Sequence, residues 1–257
     1  MTEIEFNNIT KSKNKYKFSS LCYLEYKNCI ESTILYNDNN MVILYDQSKG
    51  YAEINYAVND YNDFINYLNN INGCIKVNFI SHEYKNALEK ICFVTLCEFM
   101  DYWNKDLTKL QSKFSDSLEI KYLDINECKL ASVISKKCIN LSRGFLGESE
   151  EWYKDWIKEN KIIKILESNT IIGYCCVSIY SDGTVLWIRE IAIDPEYQRK
   201  GYGRKLFEHA LVYGIKNNVK KIFWAVDKLN KNAIELYKEY EFICEDENGE
   251  LQMIRYK

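Results

Sequence analysis

The chain lacks several features that define common protein classes. Its 257 residues include one proline, two histidines and no Cys-x-x-Cys pair, so the clustered ligands of a zinc site are missing. No apolar run reaches the ~20 residues that a membrane-spanning helix needs, and the polar N-terminus has no apolar core of a signal peptide. A net charge of −3 provides no general attraction to nucleic acid. These absences predict a cytoplasmic protein that uses no metal, no membrane and no nucleic acid.

Cysteine, by contrast, is abundant, with ten residues. Most cysteines lie in apolar stretches such as residues 91–97 (ICFVTLC) and 171–177 (IIGYCCV). Without paired spacing they predict buried, reduced thiols. The hydrophobic fraction of 47% is enough for packed cores, and the length suits one large domain or two of ordinary size.

Two common phosphate-binding motifs are also missing, the P-loop and the Gly-x-Gly-x-x-Gly dinucleotide fingerprint. Instead, residues 198–203 read QRKGYG, between a β-like run at 185–193 and an amphipathic helix predicted over 204–216. The first N–H groups of a helix have no partner within it, and glycine lets a ligand approach the backbone closely. This junction therefore predicts a site for a phosphate or pyrophosphate.

The longer string around this junction resembles a known loop. Residues 191–203, IAIDPEYQRKGYG, are similar to the strand, turn and acetyl-coenzyme A loop (Q/R-x-x-G-x-G/A) of the GNAT N-acetyltransferase superfamily. Residues 230–237, NKNAIELY, followed by Phe242, resemble the second signature of that family, N-x-x-A-x-x-L-Y and then Gly-Phe. The resemblance covers about residues 118–257. It implies acetyl-CoA as cosubstrate, without a metal, and an acetyl group moved to the primary amine of a small molecule or peptide.

Strand and helix patterns alternate through residues 118–257, which predicts an α/β fold with a mixed sheet, as in the GNAT fold. The first half repeats the order β-β-β-α-β-α-β without the motif. At the corresponding junction, residues 58–63 read VNDYND, with two acids and no glycine, so it would repel a pyrophosphate. We therefore predict a tandem arrangement, with a degenerate GNAT-like domain at 1–112 and an acetyl-CoA-binding domain at 118–257. The alternative is a single α/β domain with an unrelated N-terminal extension.

The resemblance also implies roles for particular residues in holding acetyl-CoA. The strand would splay from its neighbour and offer backbone groups to the thioester carbonyl and the pantetheine arm. The loop would hold the diphosphate, and Arg199, Lys200 and Arg204 would add positive charge. Gln198 would cap or orient the loop. The asparagine of the second signature would bond the pantetheine or cap its own helix. This predicted cofactor-binding set is Ile191, Ala192, Ile193, Gln198, Arg199, Lys200, Gly201, Tyr202, Gly203, Arg204, Asn230, Ala233 and Tyr237.

Tyr237 is the candidate general acid, because a phenol can protonate the thiolate leaving group. The general base stays open. Family members often carry Glu or His where Trp187 or Arg189 stands, or Glu where Ala225 stands, and none of these positions is acidic or imidazole here. The options are Glu190 if a β-bulge shifts its direction, Asp227, or a water relay.

Strand alternation places Trp187, Arg189 and Ile191 on one face. If that face lines the acceptor pocket, an aromatic wall and a bidentate donor favour an acceptor with an anionic group. A non-catalytic CoA-binding regulatory or interaction module is the alternative function. Glu241 stands where the family has glycine, which predicts either a different turn or a strained φ at that residue. The acceptor and the oligomeric state are left open.

Overall fold

A computed structural model of the protein describes residues 1–11, 15–21, 24, 26, 29–47, 51–111, 114, 119–139, 141, 147–245 and 249–256. The chain forms two compact units. The first consists of Met1–Glu98 and Glu247–Lys257, and the second of Phe99–Asp246. The sequence also predicts a turn at Asn248-Gly249 and a strand that begins at residue 118; Asn248 and residue 118 lie outside the described residues.

The first unit is a sheet in the order β2-β3-β4-β5-β13, with β1 on β4. The β4–β5 pair is parallel, and the other pairs are antiparallel. Adjacent residues of β3 point to opposite sides, so that Ile43 and Leu44 are buried in two different clusters. Its elements are α1 (Glu3–Lys11), α2 (Tyr61–Asn69), α3 (Lys85–Lys90), β1 (Phe18–Ser19), β2 (Thr33–Asn37), β3 (Met41–Asp46), β4 (Ala52–Val58), β5 (Ile75–Ser81) and β13 (Glu250–Arg255).

The parallel strands of the first unit separate after three residue pairs. Pairing of β4 with β5 ends at Ile54↔Val77. Beyond that point the buried Tyr56 places its hydroxyl 2.5 Å from the hydroxyl of Tyr61 and donates to the carbonyl of Phe79 at 2.7 Å. The Tyr56 hydroxyl therefore bonds β5 across the opening between the two parallel strands, beside a cavity of about 170 Å³.

The second unit is a sheet in the order β6-β11-β10-β9-β8-β7, with β12 on β6. Only the β10–β11 pair is parallel among its described strands. Helices α7 and α8 cover one face, and α5 and α6 cover the other. Its elements are β6 (Val94–Asn104, which begins in the first unit), α4 (Thr108–Gln111), β7 (Lys121–Tyr122), α5 (Cys128–Cys138), α6 (Glu150–Glu159), β8 (Lys161–Glu167), β9 (Thr170–Tyr180), β10 (Val185–Ile193), α7 (Tyr202–Lys216), β11 (Lys221–Asp227), α8 (Lys231–Glu239) and β12 (Ile243–Cys244).

The mixed α/β fold agrees with the sequence prediction, and the strand predicted at 185–193 and the helix predicted at 204–216 correspond to β10 and α7. Two assignments differ. The sequence of residues 101–117, which is polar towards its end, predicts a linker, but strand β6 extends to Asn104 and pairs with β11, so residues 101–104 are not part of one. Strand β13 pairs with β5 and belongs to the first unit, although its sequence follows the second. The tandem arrangement, with independent domains at 1–112 and 118–257, stays a prediction.

Buried thiols fit the composition. Of the cysteines that the structure describes, Cys175 and Cys176 are fully buried on opposite faces of β9, and Cys92 is exposed. Burial raises the pKa of Cys29 and of Cys138 to about 11. No helix within the described ranges combines the length and the apolar character needed to cross a membrane.

Glu241 adopts the strained conformation that the sequence predicted as one of two options. Its φ is 61°, and its N–H bonds the carbonyl of Lys238 as α8 ends. A side chain in this region costs roughly 1–2 kcal/mol, whereas glycine is penalised only through the unfolded chain, by roughly 0.5–1 kcal/mol.

We therefore expect Glu241→Gly to raise the free energy of unfolding by about 0.5–1 kcal/mol. The pair that Glu241 forms with Lys109 at 3.1 Å is exposed and adds little. Glu241→Ala keeps the strain and is the matched control, expected to be no more stable than the parent. The two variants are compared by thermal or urea unfolding, and equal stability of the two would refute the strain at this residue.

Candidate active site

The strands β10 and β11 separate in the second unit. They pair in parallel at Val185↔Lys221, Leu186↔Ile222 and Trp187↔Phe223, and at no later residue. Beyond this point β10 stays paired with β9 as far as Ile193, and β11 stays paired with β6. The end of β10 therefore presents backbone groups to an opening between two parallel strands, as the resemblance implied.

A β-bulge in β10 reverses the side-chain alternation that the sequence predicted. Opposite β9, Ile188 pairs with Val177, but the next pair is Glu190↔Cys176, so Arg189 is the additional residue. Ile188 and Ile191 consequently face the α7 side of the sheet. The bulge is a common device for redirecting a side chain beside an active site.

The bulge corrects two sequence predictions. Trp187 packs against Trp156 of α6 at a ring-centroid distance of 6.0 Å, and the Arg189 guanidinium lies 4.1 Å from the Trp152 ring. Both side chains therefore point to the α6 side, opposite Ile191. Because Arg189 is held there by protein partners, strand alternation no longer supports an acceptor with an anionic group.

A cleft of about 370 Å³ occupies the opening between the strands. A second cavity of about 280 Å³ adjoins the same strand and loop. Of the residues predicted from the sequence, the larger cleft is lined by Arg189, Glu190, Ile191, Ile193, Gln198, Arg199, Gly203, Arg204, Asn230, Ala233 and Tyr237. Ala192 lines the adjoining cavity, whereas Trp187, Lys200, Gly201 and Tyr202 line neither.

The first turn of α7 has backbone N–H groups that point out of the N-terminal end of the helix. Gln198 Nε2 donates to the Ile193 carbonyl at 2.9 Å, which fixes the loop to the strand, and Gly201 has a φ of 84°. The first hydrogen bond of the helix runs from the Lys205 N–H to the Gly201 carbonyl at 3.1 Å. Residues 202–204 therefore have no acceptor within the helix for their N–H groups. At Gly203 an added Cβ would meet no atom closer than 4.0 Å, so the space beside these groups is open.

The basic side chains around this loop differ in their partners. Arg204 forms a bidentate pair with Glu239 of α8, at 2.5 and 2.9 Å, so much of its charge is already neutralised. Lys200 lies over the Tyr197 ring at 5.0 Å, and Arg199 is exposed and lines the cleft. Arg199 is therefore better placed than Arg204 to add positive charge at the cleft.

Tyr237 lies in α8 with only 3% of its surface exposed. Its ring packs against Trp224 and Phe207, at centroid distances of 4.6 and 5.1 Å, and it lines the cleft. Burial raises the pKa of Tyr237 well above its ordinary value, so the phenol is protonated at neutral pH. Asn230 caps α8, because its side chain accepts the Ala233 N–H at 3.3 Å.

Glu190 sits in a buried polar network on the α6 side of the cleft. Its Oε1 accepts from the Tyr153 hydroxyl at 2.9 Å and from the Tyr174 hydroxyl, and Arg189 Nη1 lies 3.2 Å from its Oε2. Burial, and then the charge of Glu190, raises the pKa of both phenols, so they remain donors. Arg189 Nη2 also donates to Glu148 at 2.7 Å.

Sequence reasoning missed Glu148, Tyr153 and Tyr174 in this network. No sequence motif marks these residues. The signal that could have identified them is the presence of three polar side chains in or near segments whose apolar pattern predicts burial. Asp227, one of the open options for the base, is buried and lines the cleft. Its Oδ1 accepts the Leu229 N–H at 3.0 Å, which helps to shape the turn that follows β11.

Comparison with known proteins finds similarity to acetyltransferases. Residues 137–242 match the sequence model of the Acetyltransferase (GNAT) family. Over 79 residues the chain is 30% identical to the ribosomal protein bS18 alanine N-acetyltransferases of Escherichia coli K12 and Shigella flexneri, which is 31% of this chain and 52% of each relative. The chain thus spans about half the length of these curated relatives.

Two solved structures share the fold. A GCN5-related N-acetyltransferase from Sphaerobacter thermophilus has a TM-score of 0.56 at 10% identity, over 84% of this chain and 76% of that one. A conserved protein of unknown function from Staphylococcus epidermidis has a TM-score of 0.57 at 13% identity, over 93% of this chain and all of that one. Residues 137–242 of the chain therefore match the Acetyltransferase (GNAT) family in sequence, and the two solved structures show a shared fold.

Proposed function

We propose that the second unit binds acetyl-CoA in the cleft between β10 and β11 and transfers the acetyl group to a primary amine of a small molecule or peptide. The observation that carries this proposal is the continuity of the cleft. The cleft is lined by the separated parts of β10 and β11, by Gly203 and Arg204 in the first turn of α7, and by Tyr237. Preorganised backbone donors at such a position stabilise developing negative charge.

The chain offers suitable groups for the diphosphate, the pantetheine arm and the thioester of acetyl-CoA. The N–H groups of residues 202–204, beside the open space at Gly203, would hold the diphosphate, with Arg199 adding charge. Backbone groups at 191–193 would hold the pantetheine arm and the thioester carbonyl. Asn230 has its side-chain oxygen engaged by the Ala233 N–H, which leaves its amide group to bond the arm.

The transfer needs two proton movements. The amine nitrogen attacks the thioester carbonyl carbon and loses a proton, and the carbon–sulfur bond then breaks to release a thiolate. Tyr237 would protonate that thiolate, because burial keeps its phenol protonated. Glu190 is the candidate base. Because of the bulge, its carboxylate lies in the wall of the cleft on the α6 side of the sheet. Asp227 and a water relay are the competing bases.

The proposal is tested by amine-dependent release of CoA thiol from acetyl-CoA, with the acetylated product identified by mass spectrometry. The panel contains alkylamines, amino acid amides and a peptide that begins with alanine, because the curated relatives act on a protein alanine. Enzyme without amine is the necessary blank, since the exposed Cys92 reacts with thiol reagents. We expect release that depends on one class of amine. Calorimetric binding of acetyl-CoA without transfer to any amine would favour the non-catalytic binding module instead, which is consistent with the alanine at position 225.

A further inference from the structure

We infer that the acceptor side of the cleft selects amines without a carboxylate beside the amino group, such as peptide N-termini or alkylamines, and rejects free amino acids. This inference rests on the proposed function and concerns its substrate class. It comes from the charges around Arg189, which differ from those that the sequence suggested.

Arg189 is neutralised by two carboxylates. Its Nη2 lies 2.7 Å from Glu148 and its Nη1 lies 3.2 Å from Glu190. The three side chains are exposed by only 20%, 16% and 7%. One guanidinium against two carboxylates leaves a net charge of −1 in a largely buried cluster, where charges are weakly screened.

Arg189 is held in this position and is not available to bind a carboxylate of the acceptor. Its guanidinium lies over the rings of Trp152 and Trp156, at 4.1 and 5.7 Å. Burial alone would lower the pKa of Arg189, but the carboxylates of Glu190 and Glu148 outweigh it and raise that pKa. The arginine is therefore charged, and each of its two terminal nitrogens already has a carboxylate partner.

Both carboxylates are fixed as well. The Glu148 N–H donates to Ser135 Oγ at 3.2 Å, and its carbonyl accepts from Ser132 Oγ at 2.8 Å, so two buried serines of α5 hold its backbone. Glu190 is held by the phenols of Tyr153 and Tyr174. The negative charge is thus a fixed property of the wall.

This cluster reaches the cleft near the point where the strands separate. Arg189 and Glu190 both line the cleft, and they follow Trp187, the last residue of β10 that pairs with β11. The first turn of α7, with its N–H groups, lies beyond the other end of β10. An ammonium group that approaches Glu190 would be attracted, whereas a carboxylate on the neighbouring carbon would be repelled. Like-charge contacts of this kind are an effective means of rejecting a competing ligand.

The test compares glycinamide with glycine, or the amide and free acid of whichever panel amine reacts best. The specificity constant kcat/KM is calculated per unprotonated amine at one pH. We expect the wild type to prefer the amide by about tenfold or more. A wild type that acetylates the free acid equally well would overturn the inference, and this comparison needs no variant.

Two variants move the preference in opposite directions. Glu148→Gln removes one negative charge and should reduce the amide preference by about tenfold, whereas Arg189→Gln adds net negative charge and should increase it. If Glu148 and Arg189 had a purely structural role, each substitution would lower kcat/KM for both substrates equally and leave the ratio unchanged. Glu150→Gln is the matched control, since Glu150 pairs with Lys154 on α6, outside the cluster, and should leave the ratio unaltered.

The possible failures are distinguishable. Active variants with the wild-type ratio would overturn the inference and leave the proposed function standing. If the wild type acetylates no amine at all, the proposed function fails first.

Discussion

Replacement of Gly203 by aspartate is expected to weaken acetyl-CoA binding by about 100-fold or more. Gly203 lines the cleft in the first turn of α7, and an added Cβ would meet nothing closer than 4.0 Å. The new carboxylate would stand among the N–H groups proposed to hold the diphosphate and would repel it. The fold should survive, since an acid near a helix N-terminus stabilises the helix by about 0.3–1 kcal/mol.

Opposite effects on stability and on binding make this substitution informative. Binding is measured by calorimetry with acetyl-CoA, and stability is measured by thermal unfolding. Gly203→Ala tests side-chain volume without charge, and Lys216→Gln, at the far end of α7, changes the net charge by the same amount. We expect modest weakening for the first and none for the second. A dissociation constant for Gly203→Asp within threefold of the parent would remove the loop from the proposed site.

Tyr237→Phe is expected to lower kcat by roughly 10- to 1,000-fold, within the usual range for general acid–base groups. The KM for acetyl-CoA should change little, because the phenyl ring still packs against Trp224 and Phe207. A tyrosine that acts only in packing would tolerate the loss of its hydroxyl. The measurement is single-turnover acetyl transfer, which isolates the chemical step.

Tyr240→Phe is the matched control for Tyr237. Tyr240 lies three residues further on, packs against the same Phe207 at 5.4 Å and bonds Glu208 through its hydroxyl, but it does not line the cleft. Loss of the Tyr240 hydroxyl should leave kcat within about twofold of the parent value. If Tyr237→Phe behaves like this control while chemistry limits the rate, the phenol is not the acid.

The loop and α8 could be predicted from sequence because their signals are local. Gly201 and Gly203 mark a helix start, and Asn230 marks the cap of the next helix. The unfavourable conformation of Glu241 could be predicted for the same reason, because it depends only on the φ angle of that residue. Such features depend on neighbours in the chain, so a short window contains all the information.

The direction of Arg189 could not be predicted in the same way. Strand alternation has a period of two, and a single inserted residue reverses it. The inserted residue is an arginine rather than a glycine, so no breaker marks the bulge. Its position is stabilised instead by Glu148 and Trp152, which lie 41 and 37 residues away in the chain.

Strand partners were also beyond the sequence pattern. Residues 250–255 have the alternation of a half-buried strand, but this pattern is the same whether the partner is β5 or a strand of the second unit. The tandem prediction for the first unit likewise rests on element order. Its parallel strands separate as β10 and β11 do, but the Tyr56 hydroxyl bonds the Phe79 carbonyl across the opening, which is compatible with a copy that binds no CoA.

The placement of β13 has a consequence for folding during synthesis. Domains generally fold in the order in which they leave the ribosome, but the first unit here needs a strand that is translated only after all of residues 99–246. Until then β5 exposes an unpaired edge, a hazard for pairing with other chains. The second unit can complete its sheet earlier, so the half of the protein that is made first is expected to be the half that matures last.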